Sequence, residues 1–322
     1  MPRLDVDAPP EELFPGCWRI TLPDPFVPGV TSAFLLRGED GDWLLDSGAD
    51  TPECLEALEA KLGSLGMSLA ELRGVILSHS HLDHAGGLLR WTPARLLAHA
   101  AAADEMSNLD PRSSRGPQAL RLMGVPADEI GDLAPYGEPV AGTPLAGISV
   151  TTRLEGGQGT LPELEGWEWR LAEGHAPGHL MLHHRAESAF LVGDQFLDRW
   201  KTPLRVSDPD FDSVGAYAES ARDTLREDPA VLYSSHTTEL RPAAEWLQER
   251  LAQLDRQAER TLQAVRGGAR SAYDALFKAY SRVPEGGLRV LFLREQLAML
   301  RHLAARGEIS RGLADGAEVF SG

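Results

Sequence analysis

Cysteine is almost missing from this sequence: Cys17 and Cys54 are the only two in 322 residues. Two isolated thiols, neither beside another ligand type, read as small buried hydrophobes and not as a disulfide framework. No run of eighteen apolar residues occurs, which excludes an ordinary membrane-spanning helix. The opening Met1-Pro2-Arg3-Leu4-Asp5 leads into acidic, proline-containing sequence where a signal peptide would carry its apolar core, so a cytoplasmic protein with no membrane partner is expected. Cations are scarce as well, 31 Lys and Arg against 48 Asp and Glu, for a net charge of −17. A surface given over wholly to nucleic acid is thereby excluded, because phosphate contacts need clustered Lys and Arg. The shortage is uneven. From Asp255 onward there are eleven Lys and Arg against eight Asp and Glu, so nearly all of the acidity lies before that point. No internal repeat or low-complexity segment is visible, and 43% hydrophobic residues suit a globular chain of one large and one small domain.

Only ten histidines are present, yet three of them stand with a carboxylate in six positions, His79-Ser80-His81-Leu82-Asp83-His84. Gly74-Val75-Ile76-Leu77 before them is a short apolar, partly β-branched run and so a buried strand. Gly86-Gly87 and the apolar residues after it suggest a tight turn into a helix. The cluster thus falls at a strand's carboxyl end, a usual ligand position. His79 and His81, two apart on extended chain, project to one side, while Asp83 and His84 lie past the turn and can face a second ion. Solvated surface loops seldom interleave Asp and His in this way, so the stretch reads as a metal site.

His-Ser-His-Leu-Asp-His matches the HxHxDH motif, and the chain resembles the metallo-β-lactamase-fold hydrolases, a superfamily that includes glyoxalase II, lactonases, phosphodiesterases and RNA-processing nucleases. Further features follow in the family's order. A hairpin of Ala33–Leu36 and Trp43–Leu45 ends at Asp46, which matches an acidic residue supporting the site from below; on sequence grounds alone it serves equally as a cap for the next helix. Glu173-Gly174-His175-Ala176-Pro177-Gly178-His179 resembles the PGHTPGH loop, with Glu173 in place of the first proline. The strand Ala189–Val192 delivers Gly193-Asp194-Gln195. Val231-Leu232-Tyr233 ends at Ser234-Ser235-His236, where the family usually has Pro-Gly-His-Gly. His99, alone at the end of the strand Leu96–Ala98, reads as a packing or hydrogen-bonding residue.

The resemblance runs from about residue 15 to about residue 240. It implies an α/β fold, an αβ/βα four-layer sandwich of two mixed β-sheets with outer helices. It divides the chain into a catalytic domain over residues 1–245 and a small C-terminal domain over 246–322. In that second part leucine-faced helices precede a hairpin centred on Asp315-Gly316, which is similar to a winged-helix module. Residues from Ala100 to Ile130 are expected to form a helical cap over the site.

By the family pattern His79, His81 and His175 hold one ion, Asp83, His84 and His236 a second, and Asp194 lies between them. Two divalent ions per chain are implied, zinc first, with Fe or Mn as alternatives, and a metal-bridging hydroxide is the nucleophile. Asp83 is the catalytic carboxylate that orients it and carries a proton. His179, Arg199 and Lys201 are the expected substrate-binding residues, His179 otherwise standing behind the ligands. The activity implied is hydrolysis of a small ester, thioester or lactone. A nuclease or phosphodiesterase acting on RNA is the alternative, and a homodimer is the other role open to the C-terminal helices.

Overall fold

The computed structural model describes residues 4–26, 29–108, 115–137, 145–198 and 202–322. The chain forms two compact units. The first gathers residues 1–109, 144–202 and 223–246 around two β-sheets.

The larger sheet has seven strands in chain order: β1 (Glu11–Phe14), β2 (Cys17–Pro23), β3 (Val30–Leu36), β4 (Trp43–Leu45), β5 (Gly74–Ile76), β6 (Leu96–His99) and β7 (Thr152–Leu154). It is antiparallel from β1 to β4 and parallel from β4 to β7. The second comprises β8 (Gln158–Thr160), β9 (Trp167–Leu171), β10 (Leu180–His184), β11 (Ala189–Gly193) and β12 (Val231–Ser234), antiparallel except for the β11–β12 pair.

Period-two alternation explains the layers. Phe34, Leu36, Trp43, Leu45 and Ile76 of the first sheet form one core with Trp167, Trp169, Leu180, Leu182 and Leu191 of the second. The intervening Leu35, Leu44 and Val75 face the other way, into a core with helix α1 (Pro52–Ser64). Thr51 caps that helix by accepting from the Cys54 backbone N–H, Pro52 opens it, and Cys54, Leu58 and Leu62 are its buried face. The result is the expected sandwich of two mixed sheets with helices outside. Strands β4, β5 and β11 end at Asp46, at the His79–His84 run and at Asp194 respectively, so the sequence's chemistry collects where parallel strands finish. A four-residue helix α2 (Leu82–Ala85) carries Asp83 and His84, and α3 (Ala100–Asn108) follows β6.

The second unit contains residues 110–143, 203–222 and 247–322. The compact units are therefore not separated by a single cut after residue 245. The stretch from Ala100 to Ile130, expected as one cap, is divided: α3 packs on β6 and β7, whereas α4 (Arg115–Leu122), the turn after it and α5 (Ala127–Gly137) bury Leu120, Met123, Ile130 and Leu133 in the core of the second unit. Helix α6 (Ser213–Arg226) leads to β12, and α7 (Ala243–Arg266), α8 (Ala272–Ala279) and α9 (Gly286–Ala305) continue the chain. A hairpin of β13 (Ser310–Ala314) and β14 (Ala317–Ser321) closes it. Its turn puts Asp315 and Gly316 both at positive φ, 52° and 80°, the backbone a two-residue turn needs to match strand twist.

The hairpin is fastened to α9 by a buried ion network. Arg301 Nε stands 3.2 Å from both Glu318 oxygens, Arg311 Nε donates to Glu318 Oε2 at 2.9 Å, and Arg301 Nη1 donates to the Val206 carbonyl at 2.9 Å. Arg301→Ala would strand the 4% exposed Glu318 carboxylate with one partner fewer. Loss of about 3–5 kcal/mol of stability is expected, read by denaturant unfolding of the whole chain. A loss below about 1 kcal/mol, typical of surface pairs, would show that the network contributes little.

Candidate metal centre

The expected ligands come from strand ends, the loops after them and the short helix α2, and together they make two groups of four sharing one residue: His79, His81, His175 and Asp194, and Asp83, His84, Asp194 and His236. In each group the ligand atoms lie within 4.8 Å of one another.

In the first group His79 Nε2 lies 3.0 Å from His81 Nδ1 and 3.3 Å from His175 Nε2, and His175 Nε2 lies 3.0 Å from His81 Nδ1. Donors about 2.0–2.1 Å from one tetrahedral ion stand about 3.3–3.4 Å apart, close to this spacing. Burial, and then the neighbouring His84, His81 and His175, push the pKa of His79 well below the usual imidazole range, so it is a neutral donor.

In the second group His236 Nε2 is 3.1 Å from Asp83 Oδ2 and 3.2 Å from Asp194 Oδ2, while His84 Nε2 is 3.5 Å from Asp83 Oδ2 and 3.4 Å from Asp194 Oδ1. Burial would depress the pKa of both histidines. The Asp83, Asp194 and Asp46 carboxylates outweigh it for His84, and Asp194 and Asp83 for His236, and hold both well above the ordinary value. Asp83 and Asp194 are held well below theirs, burial being outweighed by the same two imidazoles. Buried carboxylates that gather positive charge around themselves suit a cation, which would take the place of those imidazole protons. His84 Nε2 and Asp194 Oδ1 are both buried and face each other at 3.4 Å without the geometry of a hydrogen bond, as suits atoms with a further partner to serve. The donor set fits divalent metal at both groups.

The surroundings aim the rings. His84 Nδ1 lies 2.8 Å from Asp46 Oδ2, and His236 Nδ1 donates to the Val30 carbonyl at 2.6 Å, so Nε2 of each faces the cluster. Of the two roles open to Asp46, support of the site is the one its contacts match: it also accepts from Ser78 N–H, and α1 is capped by Thr51 instead. It does so at φ 65°, a left-handed conformation unusual for a non-glycine residue. Gln195 donates from Nε2 to the Glu173 carbonyl at 2.9 Å, tying the Asp194 turn to the loop that carries His175.

His179 does not stand where a substrate would meet it. The ring is wholly buried, and its Nε2 accepts from the Asp194 backbone N–H at 3.2 Å, which places it behind the ligands. Arg199 and Lys201 lie outside the described residues. His99 is a hydrogen-bonding residue as expected, accepting from Ala101 N–H at Nδ1 and reaching the Gly156 carbonyl with Nε2. Sequence reading passed over the Val30 carbonyl, which as backbone leaves no residue-type signal, and Asp24. Burial, and next the charge of Asp83, push the Asp24 carboxyl up to about 6, and its Oδ2 is buried without a hydrogen bond.

Comparison with known proteins agrees with this geometry. The family model for the metallo-beta-lactamase superfamily matches residues 26–236. A probable metallo-hydrolase of Bacillus subtilis (strain 168), YqjP, is 26% identical over 255 residues, 75% of this chain and 77% of the relative. Among solved structures, a metallo-beta-lactamase family protein from Thermus thermophilus aligns with TM-score 0.74 at 20% identity, covering 96% of this chain and 99% of the other. A beta-lactamase domain protein from Burkholderia ambifaria aligns equally well, TM-score 0.74 at 22% identity over 97% and 94% of the two chains. With the family model spanning Asp46 and all seven candidate ligands from His79 to His236, the chain belongs to the metallo-beta-lactamase superfamily.

Proposed function

We propose that this chain is a dinuclear metal-dependent hydrolase of small esters, thioesters or lactones. The observation that carries the reading is the convergence of seven His and Asp side chains into two groups that share Asp194. Divalent metal held there, zinc or alternatively Fe or Mn, would supply Lewis acidity to polarise a scissile oxygen and activate water near neutral pH. His79, His81 and His175 would hold one ion, Asp83, His84 and His236 the other, and Asp194 both. Asp83, at 16% side-chain exposure, is the more accessible of the two carboxylates, Asp194 being 7% exposed. Asp83 would orient the attacking water, take up its proton and return it to the leaving group. A thiolate or stabilised alkoxide leaving group asks little of a separate acid. The surplus of carboxylates before Asp255 favours a small substrate over a polyanion.

The test is a hydrolysis panel on metal-reconstituted protein: a carboxylic ester, a thioester, a lactone, a β-lactam, an aryl phosphodiester and single-stranded RNA. Turnover of one of the first three, abolished by chelation and restored by metal, is expected. Cleavage confined to RNA, with binding that weakens steeply in salt, would replace this reading with a nuclease.

A further inference from the structure

We infer that Ser78 is a positioning residue of this centre, selecting the tautomer of His79 that can bind metal; the inference rests on His79 being a ligand. Ser78 is fully buried just beyond β5. Its Oγ lies 2.7 Å from Asp46 Oδ2 and 3.0 Å from His79 Nδ1. A hydroxyl has one proton to give. Asp46 receives the Ser78 backbone N–H at Oδ1 and His84 Nδ1 at Oδ2, donors on both oxygens as befits a carboxylate, so the Ser78 proton goes to it. Ser78 Oγ is then an acceptor toward His79, and His79 must carry its proton on Nδ1.

The competing arrangement is close at hand. With the proton on Nε2, His79 would donate to His81 Nδ1, 3.0 Å away, and occupy the space where three imidazole nitrogens converge. Such a tautomer would also set the bare Nδ1 against a Ser78 lone pair. The hydroxyl therefore tips His79 toward a free Nε2 lone pair, as outer hydrogen bonds do for metal-bound histidine. Asp46 Oδ2 serves Ser78 and His84 together, so one oxygen aims a histidine of each group.

The experiment uses the full chain as wild type, Ser78→Ala, Ser78→Thr and Asp46→Asn. Zinc affinity is measured by competition with a chromophoric chelator, and imidazole tautomers by long-range proton–nitrogen NMR of the metal-free protein. In Ser78→Ala, the Nδ1–H form of His79 should lose population. One zinc ion should bind about 10- to 100-fold more weakly and the other unchanged. Ser78→Thr, which keeps the hydroxyl, should restore both readouts. If the added methyl prevents folding, Asp46→Asn decides, because asparagine tolerates the positive φ of this position. It should weaken both ions, and adding Ser78→Ala to it should cost little more, as members of one hydrogen-bonded chain are not additive. Unchanged tautomer and affinity in Ser78→Ala, lower thermal stability with unchanged affinity, or fully additive losses would each overturn the proposal. Failure of wild type to bind zinc at all would instead remove the metal-centre reading beneath it.

Discussion

Asp194→Ala is expected to lose more metal than any single histidine variant and to turn over no substrate detectably. Asp194 alone belongs to both groups, with Oδ2 3.7 Å from His175 Nε2 and 3.2 Å from His236 Nε2, and Oδ1 3.4 Å from His84 Nε2. Removing it takes one candidate donor from each group and the negative charge shared by the two. It also leaves Asp83 as the one carboxylate of the second group. Changing an outer hydrogen-bond partner typically costs about 10- to 100-fold in affinity, so loss of a shared ligand should exceed about 100-fold. Elemental analysis after gel filtration, beside a chelator competition, reads this directly. Wild-type content of two ions in the variant would sink the shared-ligand assignment. A persistent single ion in loaded wild type would sink the dinuclear one.

Three of the candidate ligands were legible because each is a chemically marked residue that follows an apolar run. Gly74–Leu77, Ala189–Val192 and Val231–Tyr233 announce buried strands by composition, and their carboxyl ends then deliver His79, Asp194 and His236. That needs only local pattern. The supports were less legible in proportion to their distance in sequence. Val30 and His236 are 206 residues apart and joined through a carbonyl, which every residue has. His179 packs against the tight turn at Gly193, whose φ is 52° and where an added Cβ would come within 2.7 Å of the His179 ring; nothing local to His179 reveals this.

The grouping of helices was the least legible feature. An apolar helix stripe states that a partner is needed and not which one. Residues 110–143 and 203–222 join the C-terminal helices in the second unit although long stretches of chain separate them. The leucine stripe of α9 does bury Val290, Leu293, Leu297, Leu300 and Leu303 as its spacing requires. Its neighbours there include Leu120 and Ile130, which a reading of the C-terminal segment alone could not supply.

Asp83→Asn should lower turnover by about 10²- to 10⁴-fold, the usual worth of a positioned proton carrier, while the protein stays folded. The substitution preserves shape, so α2 and its backbone bond from His84 N–H to the His81 carbonyl have no reason to change. What changes is chemistry. An amide cannot take up a proton near neutral pH, and its neutral oxygen is a poorer metal donor than the carboxylate it replaces. Two effects are thus superposed, and metal content separates them. If turnover falls while two ions remain at saturating zinc, the loss belongs to proton transfer. If turnover returns as zinc is raised, the loss belongs to affinity, and Asp83 is a ligand alone. Near-wild-type rates at limiting zinc would remove it from both roles. The pH profile adds an independent reading, since loss of the carrier should flatten whichever limb of the wild-type rate profile reports its ionisation, whereas a change in affinity alone should move the zinc requirement and leave the limb in place at saturation.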